Sequence, residues 1–260
     1  MRAPLIPAEL DKKSFDDLIT EQAAAATTKG ITGDQLENSC YQECSAILRY
    51  WIGEIVADVL AIHTLGPAYF FSFLQFFANK PIGDLPDSEH PVPSYRANLL
   101  LGELKELGYF AADLPFSKRL AALRPVAAAS ATKVASSYPS HINVVHRTIE
   151  SNRVKILKEL RRFCEPFSYW AKRYKADVGE LARRLQDGLL PMNPYQKGAN
   201  PLPVSPIAVL NAGWQLHETA IDPFLSLFDP SLERPDKLQN LNRLVFKSME
   251  ANELVRRYFE

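Results

Sequence analysis

The stretch Cys40-Tyr41-Gln42-Glu43-Cys44-Ser45-Ala46-Ile47-Leu48-Arg49-Tyr50-Trp51-Ile52-Gly53-Glu54-Ile55-Val56-Ala57-Asp58-Val59-Leu60-Ala61-Ile62 decides the fold. Cys40, Cys44, Ile47, Leu48, Trp51, Ile52, Ile55, Val59 and Ile62 recur at the spacing that lines one face of an α-helix. The pattern predicts a core-facing helix over about 35–65. Within it, Glu54 and Asp58 stand one turn apart in otherwise apolar sequence. Residues four apart share a helix face, so these carboxylates repel by a few tenths of a kilocalorie per mole even in water. Buried together without a partner, they would cost several kilocalories per mole. A cation should therefore lie against them: an arginine, a lysine or a metal.

Outward from this helix the chain reads as helix after helix, with no convincing run of alternating β-branched residues. The expectation is an all-α, multi-helical fold. An alanine-rich helix is predicted over 9–26, set off by Gly30 and Gly33. Gly66 is a natural stop for the long helix, and Pro67 can open the next one, to Asn79. Prolines 81, 86, 91 and 93 mark 80–93 as a loop long enough to be functional. A helix follows over 94–107, then a broken, alanine-rich helical region over 114–137. Residues 141–174 read as a long helix interrupted near Pro166, and 176–187 as a shorter one. After a proline-rich connector over 191–206 come helices at 206–221 and 235–259. The last carries an apolar stripe of Leu238, Leu241, Val245, Met249 and Leu254.

Composition narrows the classes. The 260 residues suffice for one large domain or two modest ones, and 30 basic residues balance 30 acidic ones. No net field draws the chain to nucleic acid or to an acidic membrane. Three cysteines without an apolar leader behind Met1 imply a reducing compartment, hence a cytoplasmic protein. The nearest approach to a membrane span, Val56 to Phe77, contains Asp58, His63 and Gln75 and is broken by Gly66-Pro67. It suits two buried helices meeting at a corner. A Gly-rich phosphate loop, a dinucleotide fingerprint and a Gly-x-Ser-x-Gly elbow are all missing, so ATPase, Rossmann oxidoreductase and α/β-hydrolase readings have little support.

The arrangement Glu54-x-x-Ala57-Asp58 resembles the second zinc-binding motif of the gluzincin metallopeptidases. Leu65-Gly66-Pro67-Ala68-Tyr69, His90-Pro91 and Arg96 extend the resemblance to bacterial gluzincin-like helical proteins. So do Pro206-x-x-Val209-Leu210-Asn211-Ala212-Gly213-Trp214 and Lys247-Ser248-x-Glu250-x-x-Glu253-Leu254-x-Arg256-Arg257-Tyr258. The resemblance implies Glu54 as a zinc ligand and Asp58 as the group orienting a metal-bound histidine. It implies a hydrolase in which zinc-activated water attacks a peptide carbonyl. It also implies a metallopeptidase-like half over 1–110 and a helical region over 111–260, which can pack as one domain.

The chain departs from that family in one decisive respect. Gluzincins carry His-Glu-x-x-His upstream, two histidines binding zinc and the glutamate activating water. Here the five histidines are His63, His90, His141, His146 and His217, none before Glu54. His217-Glu218-Thr219-Ala220-Ile221 lacks the second histidine. Zinc is expected only if missing ligands are supplied, and the chain alone should be inactive as a peptidase. It either starts downstream of the missing helix or kept the frame and lost the metal. The alternative is a non-enzymatic helical scaffold or interaction protein, with a protein or peptide partner and with Glu54 and Asp58 in a buried ion pair with an arginine such as Arg96.

Other residues bear weighing. His90 lies in the proline-rich loop, where it can polarise a carbonyl as a candidate catalytic group or simply be an exposed histidine. His63 lies about 140° round the helix from Asp58 and reads as a satisfied core histidine. Cys40 and Cys44 read as buried packing. From Arg147 to Lys175 nine basic residues face three acidic ones, interleaved with Phe163, Phe167, Tyr169, Trp170 and Tyr174. Such a run can attract a phosphate backbone and stack bases, but aromatics at helical spacing more often face a core. Nucleic acid is the less favoured partner.

Overall fold

In the computed structural model, which describes residues 9–78, 88–191 and 203–259, the apolar periodicity of the sequence becomes helices throughout, and no strand occurs among the described residues. The helices are α1 (Lys12–Thr28), α2 (Gly33–Leu65), α3 (Pro67–Ala78), α4 (Pro93–Glu106), α5 (Ser117–Ala135), α6 (Ser140–Cys164), α7 (Ala171–Asp177), α8 (Gly179–Gln186), α9 (Pro206–Thr219), α10 (Ile221–Leu225) and α11 (Arg234–Phe259). A 3₁₀ turn, Glu165–Phe167, ends α6 at Pro166, where the missing N–H stops the ladder. Most of the loop over 80–93 and of the connector over 191–206 lies outside the described residues. No described helix is long and apolar enough to cross a membrane.

Two expectations about the helices need correction. The region over 114–137 is not broken: α5 runs continuously through Pro125. Its alanine-rich flanks favour helix strongly enough to carry a residue that costs ~3 kcal/mol in a helix interior. The stripe on α11 also changes course. Leu241 and Val245 are buried, but the line continues through Ser248 and Asn252, while Leu254 is 57% exposed. Asn252 is buried because its side chain is satisfied. It accepts from the Val204 N–H at 2.8 Å and donates to Ser248 O at 2.7 Å and Pro191 O at 3.3 Å.

The chain divides into two compact units, each built from three segments. The first unit comprises Met1–Ala61, Phe76–Leu101 and Leu123–Pro166; the second comprises Ile62–Gln75, Gly102–Ala122 and Phe167–Glu260. In the first unit the apolar face of α2 is the centre of the core, with Cys44, Trp51 and Val59 fully buried. Helix α1 packs along α6, starting where the Asp11 carboxylate caps the Ser14 N–H at 3.0 Å. The Asp11 N–H in turn donates to Thr148 Oγ1 at 2.8 Å. All three cysteines are free and buried. Burial pushes the Cys44 thiol up to about 12.

In the second unit, α9 packs between α8 and α11. The approach to α11 needs Gly213, since a Cβ there would stand 2.7 Å from Val245 Cγ2. The corner after α2 needs Gly66, which has φ +62° and where a Cβ would meet the Tyr109 hydroxyl at 2.8 Å. Asn211 seals this corner from α9. Its Oδ1 accepts from the Ala68 N–H at 3.0 Å, and its Nδ2 donates to Leu65 O at 2.8 Å. One side chain thus satisfies an end carbonyl of α2 and a first-turn amide of α3.

Candidate functional site

The acidic pair of α2 meets a cation, and that cation is Arg96 of α4. Arg96 Nε donates to Asp58 Oδ2 at 2.7 Å and Nη2 to Asp58 Oδ1 at 2.8 Å, a parallel two-bond fork. Nη1 of the same guanidinium stands 2.9 Å from Glu54 Oε2. One planar cation with donors on three nitrogens therefore spans both carboxylates. The Asp58 side chain is 1% exposed and that of Arg96 10%, whereas Glu54 keeps 33% and faces water along one edge. The Phe77 ring covers the guanidinium at 5.9 Å from its centroid.

Local structure explains the placement. Glu54 and Asp58 project from successive turns of α2, and Arg96 sits in the first turn of α4, where its N–H bonds to Val92 O at 3.1 Å. The third candidate, His90, lies just before α4. Its Nε2 is 4.0 Å from Glu54 Oε1, and its side chain is half exposed. Glu54, Asp58 and His90 are thus brought together, with Arg96 at the centre of the cluster. Both oxygens of Asp58 and Oε2 of Glu54 are held by the guanidinium, which leaves Glu54 Oε1 and the His90 ring on the water-facing edge. Among the described residues, no three His, Cys, Asp or Glu side chains converge to hold a metal ion.

A second polar cluster, in the other unit, escaped the sequence reading. His63 Nδ1 is 2.7 Å from Ser168 Oγ, and His63 Nε2 is 3.2 Å from Glu103 Oε2. The order serine, histidine, carboxylate is that of an activated nucleophile. All three residues are buried, and Glu103 is wholly so. The cluster acts as an internal stitch, reinforced where the Tyr169 N–H donates to His63 O at 2.7 Å. His63 is thus the satisfied core histidine expected of it. Its partners lie 40 and 105 residues away, with no local motif to mark them.

His217, also in this unit, points Nδ1 to Glu218 Oε1 at 2.9 Å, and Arg119 pairs with the other oxygen of Glu218. The basic run is split between the units after Pro166. Tyr169 and Tyr174 are buried, while Phe163, Phe167 and Trp170 are exposed. Arg173 pairs with Asp177 at 3.4 Å and Lys175 with Asp113 at 2.6 Å. Comparisons with protein-family models, curated proteins and solved structures gave no match.

Proposed function

We propose that this chain is a non-enzymatic helical scaffold that engages a protein or peptide partner, and that Glu54, Asp58 and Arg96 form its internal ion cluster. The carrying observation is the guanidinium bonded to both oxygens of Asp58 and paired with Glu54. A buried arginine that forks onto Asp58 compensates that buried charge, and the second carboxylate, Glu54, keeps its remaining charge at the water-facing edge. Support for a partner comes from large apolar side chains left in water on helices, among them Val154 at 83% and Phe246 at 61% exposure.

A second reading is a remnant of a gluzincin-like peptidase frame, with Glu54 and Asp58 as ancestral metal positions and His90 beside them. The proximity of His90 to Glu54 on the water-facing edge favours it. One experiment separates the two. The purified chain is dialysed with zinc, its metal content measured, and casein offered as substrate. The scaffold reading expects no stoichiometric zinc and no cleavage. Bound zinc and cleavage, both lost in Glu54→Ala, would overturn it in favour of the peptidase.

A further inference from the structure

A cavity of about 530 Å³ opens between α4, α5 and α6 of the first unit. The volume is within the range of small-molecule sites. Ala128 and Ala131 of α5 leave the space; the chemistry comes from α4 and α6. The cavity's one acidic group, Glu150, is already engaged. It accepts from the Tyr95 hydroxyl at 2.8 Å and lies 3.6 Å from Arg153.

Of the other polar groups in the lining, the Thr132 and Ser136 hydroxyls already donate to Ala128 O and Lys133 O and Arg153 faces Glu150, while four more offer donors with no acceptor among the described residues. Among the described residues, the Arg147 guanidinium, exposed to water and within electrostatic reach of the Asp11 carboxylate, has no hydrogen bond or ion pair, and the half-buried side-chain amides of Asn98 and Asn143 have no hydrogen bond. The His146 ring is gripped edge-on by Tyr95 and Tyr138, at centroid distances of 5.4 and 5.2 Å, and its nitrogens bond to no described residue. An unpaired guanidinium, two unpaired amides and an imidazole around one concave space match a ligand rich in acceptor oxygens. A terminal phosphate presents three such oxygens and close to two negative charges. A guanidinium forks onto two of them, leaving one for an amide.

We propose that this cavity binds the phosphate group of a small molecule, with Arg147 as the charged anchor and Asn98, Asn143 and His146 as neutral donors. The concave shape and the single unpaired cation suit one terminal phosphate rather than a polynucleotide track. A polynucleotide would need a continuous line of free basic side chains.

The test is calorimetric titration of the full chain with phenyl phosphate, with inorganic phosphate and with a single-stranded oligonucleotide lacking a terminal phosphate. The expected result is one saturable site for phenyl phosphate or inorganic phosphate at millimolar concentration or below. Tighter binding of phenyl phosphate assigns the group to an ester; equal or tighter inorganic phosphate assigns it to the free ion. Arg147→Ala should weaken binding about tenfold or more, Asn98→Ala by a smaller factor, and Arg147→Lys should restore part of the loss. Circular dichroism shows which variants are folded, and any folded variant decides the matter. Absence of saturable binding by either phosphate, parent-like affinity in folded Arg147→Ala and Asn98→Ala, or binding of the oligonucleotide alone would overturn the proposal.

Discussion

The guanidinium of Arg96 and the carboxylate of Asp58 meet edge to edge through two hydrogen bonds, Nε to Oδ2 at 2.7 Å and Nη2 to Oδ1 at 2.8 Å, with almost no solvent on the acid. Removing one member of such a pair strands the other charge in a low-dielectric site. Arg96→Met should destabilise the chain by about 3–5 kcal/mol. The double variant Asp58→Leu with Arg96→Met should recover most of that loss. Urea denaturation of both measures the effect; a loss below ~1 kcal/mol for Arg96→Met would show that the pair is not a structural unit.

Gly213 and Val245 test the fit of α9 to α11. A methyl added at Gly213 has no room against Val245 Cγ2, so Gly213→Ala should cost about 1–3 kcal/mol through overpacking. Val245→Ala in the same chain should relieve part of it. A thermal melt in which Gly213→Ala is neutral contradicts the packing described.

Asn211 caps two helices with one amide. Asn211→Leu leaves the Ala68 N–H and the Leu65 carbonyl without this partner, at a cost of about 1–3 kcal/mol. Asn211→Asp keeps the acceptor and loses the donor, so its cost should be separable by denaturation at two pH values. Equal stability of parent and Asn211→Leu would refute the capping role.

Acid should weaken the first unit through His146. Burial holds this imidazole below its ordinary value of 6.5; Arg147 and Arg153 act in the same sense, and Glu150 opposes them. The unfolded chain therefore takes up a proton before the folded one does. The associated stability is full above 6.5 and is lost as pH falls from there through the lower folded value. His146→Phe should flatten the stability profile over that acid window. A parent profile already flat there would contradict the assignment.

The thiols give a probe of opening. Cys44, pushed up to about 12, is both protonated and buried, and Cys40 is shifted upward by the same cause. An aromatic disulfide reagent should label Cys40, Cys44 and Cys164 only at the rate of unfolding, with urea accelerating all three. Fast labelling of any one of them under native conditions would be inconsistent with its burial.

Much of this was legible in the residues. The three-and-four spacing of Cys40 to Ile62 marks the buried face of α2, because an amphipathic helix writes its core into its own period. The acid pair at Glu54 and Asp58 announced a buried cation, and Arg96 was within the set of candidates. What escaped was polar and distant. Ser248 and Asn252 lie outside the predicted apolar stripe yet are buried, because Ser248 is satisfied by Leu244 O one turn back and Asn252 by Val204 and Pro191 across the unit. Glu103 and Ser168 meet His63 only through tertiary structure, which no spacing encodes. The region over 114–137 reads as broken, but α5 runs on through Pro125, where alanine propensity outweighs the local cost.

The corner sealed by Asn211 also has a calendar. Leu65 and Ala68 are made early, but the amide that joins them to α9 lies 146 and 143 residues further along the chain. The first unit has all its segments once Pro166 is synthesised, whereas the second must wait for residues beyond it. During synthesis the turn at Gly66 therefore stays unlatched while the first unit can already settle. Closing it late, across so long a loop, should make latching of the corner a slow step in refolding.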